Sequence, residues 1–383
     1  HTRYISVTGV QTCALPISGD SSINGDAPIV VMTTEVLRNM VYSNPEAIED
    51  LGYVVMDEVH YLADKFRGAV WEEILIHLPE RIQIVSLSAT VSNVEEFGEW
   101  LQLVRGETEV IVSENRPVPL YQHVLIGNRL LDLFNEDGTV NQALFRTERE
   151  ALRRIKIPRN RERGDNENRL NRYEIIEKLD ANQMLPMITF IFSRQGCDSA
   201  VKQCLAANLR LTSSEEREEI RATANKYTST LNAEDLELLG HHEWLAALER
   251  GIAAHHAGLL PVFKSCVEDL FQRGLLKAIF ATETLALGIN MPARTVLLEK
   301  LTKWNGEAHV PVTPGEYTQL TGRAGRRGID IEGNAVILWS PSVDSATAAG
   351  LAATRTYPLR SSFSDRKSTR LNSSHTDISR MPS

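Results

Sequence analysis

Short apolar runs alternate with stretches of helical periodicity through most of the chain. Eight runs rich in β-branched and aromatic residues predict strands: Ile29–Met32, Tyr53–Met56, Ile82–Ser86, Ile188–Phe192, Ile252–His255, Ala278–Ala281, Val296–Glu299 and Ala335–Trp339. Helical patterns lie between them, for instance Glu35–Tyr42, Asn93–Leu101, Gln195–Asn208 and Val262–Arg273. Several runs are apolar without alternation, which is typical of strands covered on both faces. Strands and helices in series predict an α/β fold with parallel sheets.

This order is interrupted between residues 116 and 185, where the chain is charged and shows little apolar periodicity. Within this stretch, Arg146–Arg172 holds ten Arg or Lys against five Asp or Glu. Such a charge run can follow RNA, but it is more often a solvated linker. We therefore predict a linker over residues 116–185 between two lobes, 19–115 and 186–345, with 346–363 beginning a further domain.

The two ends differ from the rest of the chain. Residues 1–18 show neither the strand nor the helix period, and residues 364–383 are rich in Ser, Arg and Asn without an apolar face. VTGVQTCALPIS and RKSTRLNSSH also resemble translated sequencing-adapter read-through. The alternative is a pair of disordered native tails. We therefore expect non-native, adapter-like segments at residues 1–18 and 364–383.

Charge and cysteine content limit the possible functions. A net charge of −9 argues against a protein coated in positive potential, although local arginines and helix N-termini can still bind nucleic-acid phosphates. No apolar run approaches the ~20 residues that span a bilayer, so we expect no membrane association. The four cysteines are far apart and form no CxxC pair. This argues against zinc or a disulfide framework and favours a reducing cytoplasm.

The first candidate for catalytic chemistry is an acidic pair at the end of a strand. Asp57 and Glu58 directly follow Tyr53–Met56, which we expect to be buried. Open α/β sheets bind ligands at the carboxyl ends of their strands. Two carboxylates there suit phosphoryl transfer, with Asp57 holding the water shell of Mg²⁺ and Glu58 orienting and deprotonating the attacking water. The alternative is an acidic turn that only caps the next helix.

A second signal follows the next apolar run, Gln83–Leu87, which we also expect to be a buried strand. Ser88 and Thr90 come directly after this run. Their hydroxyls can hydrogen-bond the acidic turn, including His60, and so respond to the state of a bound nucleotide. In isolation, Ser and Thr at such a position more often simply end a strand.

The most specific signal is the segment Gln319–Gly328, in which arginines lie three apart among glycines. Glycines let the backbone approach a ligand closely. Arg323 and Arg326 have the spacing at which arginine fingers reach one triphosphate. The alternative is a basic glycine-rich surface loop or an RNA-binding tail. Such tails are repetitive and lie in disordered context, whereas this segment lies on a predicted helix start before the strand Asn334–Leu338.

DEVH, SAT and QLTGRAGRRG, in this order, resemble the motifs of superfamily-two helicases with two RecA-like lobes. The finer pattern looks like the superkiller-type branch, which contains the exosome-associated RNA helicases and their bacterial relatives. Further matches are VVMTTEVLRNM at 30–40, RPVPL at 116–120, FIFSRQGCD at 190–198, HHAGLLP at 255–261, FATETLALGINMPARTV at 280–296 and YPLRSSF at 357–363. The resemblance covers about residues 19–363.

The resemblance implies a role for each matching residue. These roles are Mg²⁺ coordination through water at Asp57, water activation at Glu58, coupling to lobe movement at His60, Ser88 and Thr90, triphosphate contact at Gln319, Arg323 and Arg326, the nucleotide cleft at Gly288 and Asn290, and the nucleic-acid backbone at Thr33, Thr34 and Thr282. Thr33 or Thr34 can also be a plain helix N-cap that needs no ligand. The implied cofactors are ATP and Mg²⁺.

The resemblance also implies partners and a reaction. Single-stranded or partly duplex RNA is the expected substrate, with DNA as an alternative, and translocation is expected to run 3′ to 5′. A monomer that works with RNA-decay machinery is expected. Motifs of this kind contact the backbone, and therefore they do not distinguish RNA from DNA.

One motif of the family is missing. GxxxxGK[ST], whose backbone N–H groups and lysine hold the β and γ phosphates, occurs nowhere in the chain. In the family it lies upstream of the TTE segment, so we predict a fragment with an incomplete first lobe. Gly19-Asp20 resembles the end of the family's TGD segment, with Ser18 in place of threonine. We expect winged-helix and helical ratchet domains after residue 363, and no ATP hydrolysis by this chain alone.

Three functional hypotheses follow. The chain is a fragment of an RNA helicase, an ATPase-dead RecA-like scaffold that binds nucleic acid, or part of a DNA helicase of a related branch. Asp57, Glu58, Arg323 and Arg326 favour an enzyme, since a scaffold has no chemical need for a water-activating carboxylate beside arginine fingers.

Overall fold

The computed structural model describes residues 14–18, 21–22, 27–43, 45–63, 68–88, 94–113, 116–155, 170–286, 291–304 and 307–353. The chain divides into two compact units, residues 1–114 with 356–383 and residues 115–355. Each unit has its own sheets and its own apolar core. The fold is α/β with largely parallel sheets, as the sequence predicts.

The first unit contains two small sheets within its described residues. Its elements are β1 (Ala14–Ser18), β2 (Ser21–Ser22), β3 (Ile29–Met32), α1 (Thr34–Ser43), β4 (Tyr53–Met56), α2 (Gly68–His77), β5 (Gln83–Ser86) and α3 (Val94–Arg105), with 3₁₀ helices at Pro45–Ile48 and Val59–Ala63. Strand β1 pairs antiparallel with β2 and parallel with β3, and β4 and β5 form a separate parallel pair.

Strand β1 differs from the sequence analysis, because residues 1–18 show no strand period. Nevertheless Ala14–Ser18 form a strand that pairs with β3, from Ala14 opposite Ile29 to Ile17 opposite Met32. Pairing of strands is a backbone interaction and needs no alternation of side chains. The adapter-like origin of residues 1–18 stays a prediction.

Strands β3, β4 and β5 of the first unit are each exposed on one face. In β4, Val54 and Met56 are buried, whereas Tyr53 and Val55 are 69% and 64% exposed. Val85 lies opposite Val55 on β5 and is exposed as well. The expectation that both strands are buried is therefore wrong for the residues on this face, because the described part of the unit packs its apolar core against the other face only.

The second unit is built on a larger sheet. Its elements are β6 (Leu120–Ile126), β7 (Arg129–Asp132), α4 (Gln142–Ile155), α5 (Arg172–Ala181), β8 (Met187–Phe190), α6 (Arg194–Ala206), α7 (Ser214–Thr228), α8 (Ala233–Leu238), α9 (His241–Leu248), β9 (Ile252–His255), α10 (Pro261–Gln272), β10 (Ala278–Ala281), β11 (Thr295–Leu298), β12 (Thr302–Trp304), β13 (His309–Pro311), α11 (Pro314–Thr321), β14 (Gly333–Leu338) and α12 (Ser345–Ala353). A 3₁₀ helix at Glu283–Ala286 follows β10.

This sheet is covered on both faces. Its seven strands lie in the order β7-β6-β14-β11-β8-β10-β9, and only the edge strand β7 is antiparallel to its neighbour. Every residue of β8, β10 and β11 is buried. Successive side chains of β8 enter opposite cores, with Ile188 and Phe190 in one cluster and Met187 in the other. These strands therefore match the non-alternating pattern of their sequences.

Three helices of the second unit, α6, α7 and α11, begin at side-chain caps. Ser193 precedes α6, and its hydroxyl accepts the N–H of Gly196 at 3.1 Å. Ser213 and Thr313 form reciprocal capping boxes with the glutamates three residues later in α7 and α11. These caps satisfy N–H groups that have no partner inside the helix, and they fix the residue at which each helix begins.

The stretch 116–185 differs from its prediction as a linker. It contributes β6, β7, α4 and α5 to the second unit, and β6 pairs with β14 from Leu120 opposite Gly333 to Leu125 opposite Leu338. The sequence analysis weighted the charged residues Arg146–Arg172 and did not predict the short apolar strand Leu120–Ile126. The predicted second lobe, residues 186–345, is therefore shorter at both ends than the observed unit. At the later end, α12 also belongs to this unit rather than to a following domain.

Helix α12 is attached to the second unit through a buried carboxylate. Glu148 on α4 accepts hydrogen bonds from Trp339 Nε1 at 2.6 Å and from the backbone N–H of Ser345 at 3.2 Å. Trp339 follows β14 and Ser345 begins α12, so one side chain links α4 to both of these later elements. No described helix is both long and apolar enough to cross a bilayer.

Candidate nucleotide and nucleic-acid site

The acidic turn lies at the carboxyl end of β4 in the first unit. Asp57 Oδ1 accepts the backbone N–H of Glu58 at 3.0 Å. Glu58 has φ of 60°, the left-handed region that side-chain-bearing residues seldom occupy. This turn leaves both acidic residues exposed beyond the end of the strand. The strain is of the kind that accumulates at functional sites.

His60 lies beneath this turn. Its Nδ1 is 3.1 Å from Glu58 Oε2, and its ring stacks on Tyr61 with centroids 4.9 Å apart. Burial lowers the pKa of His60, although the nearby carboxylate of Asp57 opposes this shift. The ring is therefore neutral at neutral pH, and it lies against the Glu58 carboxylate.

The end of β5 adjoins the same turn. Leu87 N–H donates to Met56 O at 2.9 Å, and Leu87 O accepts the N–H of Val59 at 2.8 Å. Ser88 follows and is exposed. The backbone thus brings the two predicted motifs of this unit together. Thr90 lies outside the described residues.

Thr33 and Thr34 lie where β3 leads into α1. Thr33 is exposed, and its carbonyl accepts the N–H groups of Val36 and Leu37 at 3.1 and 3.2 Å. Thr34 Oγ1 is 3.4 Å from Glu35 Oε2. The exposed hydroxyl of Thr33 at a helix N-terminus suits an anionic ligand, and it suits an ordinary N-cap equally well.

The arginine loop lies in the second unit, after α11. Gln319 is on this helix, Arg323 follows it, and the carbonyl of Arg323 accepts the N–H of Ala293 at 2.9 Å. Gly325 N–H donates to Ala293 O at 2.7 Å. The loop is thereby held against the strand that begins at Thr295. Gly288 and Asn290 lie outside the described residues.

Asp330 fixes the conformation of Arg326. Arg326 Nε and Nη2 each donate to the carboxylate of Asp330 at 2.8 Å, and the Arg326 backbone N–H donates to it at 2.9 Å. Burial of Asp330 opposes ionisation, but the hydrogen bonds from Arg326 outweigh it and hold the pKa of Asp330 below its usual value. A fixed guanidinium loses little entropy when it meets a phosphate.

Residues of the RPVPL segment pack under this loop. Gly325 has φ of +87°, and a Cβ added there would lie 2.6 Å from Val118 Cγ1. Arg116 Nη2 donates to Ala324 O at 2.7 Å. Both the left-handed backbone and the close approach require glycine at this position.

Thr282 lies at the carboxyl edge of the larger sheet with residues that the sequence analysis did not single out. Exposed Arg194 follows β8, His256 follows β9 and Thr282 follows β10, and these three strands are neighbours. His256 Nδ1 accepts the N–H of Gly258 at 3.1 Å, so its Nε2–H donates to Asp198 at 3.0 Å. The motifs FIFSRQGCD and HHAGLLP contained this signal. No group among the described residues could hold a metal through several His, Cys, Asp or Glu.

Comparison with known proteins agrees with these motifs. The family model "DEAD/DEAH box helicase" matches residues 4–97, and "Helicase conserved C-terminal domain" matches residues 187–328. "Probable helicase HelY" of Mycobacterium tuberculosis (strain ATCC 25618 / H37Rv) is 56% identical over 376 residues, which cover 95% of this chain and 41% of that protein.

Two mammalian proteins are similar at greater distance. "Exosome RNA helicase MTR4" of Mus musculus is 36% identical, with 91% of this chain and 34% of that protein covered. "Superkiller complex protein 2" of Homo sapiens is 38% identical, with 84% of this chain and 27% of that protein covered. The chain therefore spans about two fifths or less of the length of these relatives.

Proposed function

We propose that this chain, which belongs to the superfamily-two DEAD/DEAH-box helicases of the superkiller type, forms part of an ATP-dependent helicase that translocates on RNA. The observation that carries the proposal is the presence of two sets of polar groups, one in each unit. An acidic pair lies on a strained turn at the end of β4, and an arginine lies in a bidentate ion pair beside a glycine-rich loop. These are a metal-binding carboxylate, a general base and a phosphate-binding guanidinium, three of the groups that phosphoryl transfer uses.

The residues present fit ATP and Mg²⁺. The exposed carboxylate of Asp57 is the oxygen ligand that Mg²⁺ prefers, and it can hold the ion directly or through water. Arg323 and Arg326 carry guanidinium donors that match phosphate oxygens. When bound, ATP with Mg²⁺ supplies an electrophilic phosphoryl group whose charge is partly neutralised.

The chain's own side chains would then have separate roles in hydrolysis. Glu58 orients a water molecule and accepts its proton, and the neutral ring of His60 packs 3.1 Å from the Glu58 carboxylate. Arg326 stabilises negative charge with a guanidinium that Asp330 has already oriented. Gln319 and Arg323 contribute further donors from the same segment.

RNA is the proposed substrate, and the names of the relatives support it, since MTR4 is named an exosome RNA helicase. Thr33, Thr282 and Arg194 are exposed or half-buried polar residues at helix starts and strand ends, where phosphates bind. A 3′-to-5′ polarity, a monomeric state and work with RNA-decay machinery are parts of the same proposal. So is a cytoplasmic location, which agrees with free thiols at Cys197, Cys204 and Cys266.

The proposal is tested in a hybrid protein, because GxxxxGK[ST] is absent from the chain. Residues 27–353 replace the matching segment of mycobacterial HelY, and ATP hydrolysis is measured with matched single-stranded RNA and DNA. We expect stimulation by RNA. Glu58→Gln should lower kcat by about 10²- to 10⁴-fold, the usual contribution of a general base. Glu99→Gln, at an exposed glutamate of α3, is the matched control and should leave kcat unchanged.

Each alternative predicts a different result in the hybrid. Binding of RNA without hydrolysis, while the parent HelY hydrolyses ATP, would favour the scaffold. Stronger stimulation by DNA than by RNA would favour the DNA branch. A Glu58→Gln variant with unchanged kcat would remove the proposed role of the acidic turn.

The chain by itself should not hydrolyse ATP. The loop that holds the β and γ phosphates is missing from its sequence, so the positioning contribution of that loop is lost. The measurement is phosphate release by the 383-residue chain with RNA present. Turnover that disappears on Glu58→Gln would contradict this expectation.

A further inference from the structure

Lys303 on β12 binds two glutamates from different parts of the second unit. Its Nζ is 2.6 Å from Glu283 Oε2 and 2.7 Å from Glu316 Oε1. The lysine side chain is only 17% exposed. Most lysines of a protein surface reach into solvent, and one held between two carboxylates loses that freedom.

Glu316 makes a different contact with each of its oxygens. Oε2 accepts the backbone N–H of Thr313 at 2.8 Å and so completes the capping box of α11. Oε1 accepts a hydrogen bond from Lys303. The start of α11 is therefore tied to β12 by the same carboxylate that caps the helix.

Glu283 ties a second segment to the same ammonium. It begins the 3₁₀ helix Glu283–Ala286, directly after Thr282, and this short helix packs against α11. Through Lys303, the segment that carries Thr282 and the helix that carries Gln319 share one charged anchor.

Lys303 places a positive charge between the two carboxylates. Partial burial disfavours the charged form of Lys303, but its hydrogen bonds to Glu283 and Glu316 outweigh burial and raise its pKa. Burial likewise disfavours ionised Glu316, whose pKa is nevertheless lowered by Lys303 and Thr313. Without the ammonium, two carboxylates would face each other and repel. Loss of Lys303 should therefore separate the two segments as well as release them.

We propose that Lys303 is a positioning residue that holds the Thr282 segment and helix α11 in one relation, so that displacement of either one moves the other. The inference rests on the proposed function, in which Thr282 meets the nucleic-acid backbone and Gln319 meets the nucleotide. Lys303 would then connect nucleic-acid binding at Thr282 to nucleotide binding at Gln319 inside a single unit.

The first test is hydrogen exchange on the full 383-residue chain. Lys303→Met should speed amide exchange about tenfold in both 283–286 and 314–321, the factor that corresponds to one charge-assisted hydrogen bond. Lys303→Arg should restore slow exchange. Lys277→Met is the matched control, since Lys277 pairs with Glu216 at 2.9 Å in another part of this unit. It should leave both segments unchanged.

A double-variant comparison separates coupling from simple loss of stability. Glu316→Gln keeps a residue able to form the capping box but removes its charge. With Lys303 present, this change should speed exchange in 283–286, although residue 316 lies outside that segment. With Lys303→Met, the same change removes a repulsion and should no longer speed exchange there. Equal effects in both backgrounds would overturn the proposal.

Binding of single-stranded RNA, measured by fluorescence anisotropy, provides the functional readout. Lys303→Met should weaken binding several-fold with unchanged exchange in α5 and α6, and Lys303→Arg should recover it. Faster exchange throughout the unit, or none in 283–286, would overturn the proposal. If the unmodified chain binds no RNA, the proposed function fails at this step, and the exchange experiments still decide the role of Lys303.

Discussion

Strand β4 of the first unit and strand β10 of the second have equally apolar sequences, YVVM and AIFA, but very different surroundings. All four residues of β10 are buried between β8 and β9 and two apolar clusters. In β4 every second residue is exposed. An apolar run therefore predicts a strand, whereas the number of covered faces depends on what the rest of the unit supplies.

The acidic turn of the first unit and the arginine loop of the second differ in the same way. The acidic turn follows β4, which is covered on one face only, and its carboxylates are exposed. The arginine loop belongs to the unit whose large sheet is covered on both faces. Asp330 holds Arg326 in this loop through three hydrogen bonds. We therefore expect substitutions in the second unit to cost more stability than matched substitutions in the first.

The largest difference is expected for matched isoleucine substitutions. Ile279 on β10 is 0% exposed, and Ile29 on β3 is 58% exposed. Ile279→Ala should lower the free energy of unfolding by about 2–5 kcal/mol, because it removes buried methyl groups and leaves a cavity. Ile29→Ala should change it by less than about 0.5 kcal/mol. Urea unfolding monitored by hydrogen exchange measures the two units separately.

The cysteine thiols of the second unit provide a second measurement of how the two isoleucine variants affect its stability. Burial raises the pKa of Cys197, Cys204 and Cys266 to about 12. They should therefore react with a thiol reagent only when this unit opens. Ile279→Ala should accelerate labelling and Ile29→Ala should not. Similar costs for the two variants would mean that the exposed face of the first unit contributes as much as the buried sheet.

A smaller difference is expected for matched aspartates. Asp330→Asn should destabilise the second unit by about 1.5–3 kcal/mol at neutral pH, since hydrogen bonds to an ionised carboxylate are lost. Asp57→Asn should cost far less, because Asp57 is exposed and accepts only the Glu58 N–H among the described residues. Thermal unfolding of both variants against the unmodified chain measures this.

The pH dependence gives the sign of the Asp330 contribution. Its folded pKa lies below the usual value of 3.8, so its stabilisation is complete above 3.8 and is lost as pH falls through the folded pKa. The difference between the unmodified chain and Asp330→Asn should shrink in that range. A difference that stays constant down to low pH would show that the carboxylate charge does not matter.

The smallest effect on stability, but a visible one on solubility, is expected on the exposed face of the first unit. Val55 and Val85 are opposite each other on β4 and β5, and both are exposed. Changing both to threonine should alter stability by less than about 0.5 kcal/mol while increasing the soluble fraction after expression. Val296→Thr, at a buried position of β11, is the control and should decrease it. No gain from the double change would argue that this face does not cause association.

The local sequence pattern determined much of the fold and the position of the candidate site. Strands Ile252–His255 and Ala278–Ala281 have the bounds that their sequences predict. Asp57 and Glu58 lie at a strand end as expected. Their functional roles stay proposals. Such features depend on neighbouring residues alone, which is why a periodic run or a motif reveals them.

Only the tertiary structure decided which segments belong together. Leu120–Ile126 was hidden next to a charged stretch and yet pairs with β14, whose residues lie about two hundred positions later in the sequence. Tyr53 and Val55 are exposed although their run is apolar. Lys303 carries no motif and meets Glu283 and Glu316 through chain folding. Sheet order, covered faces and charge clusters depend on contacts between distant residues, and no local pattern contains them.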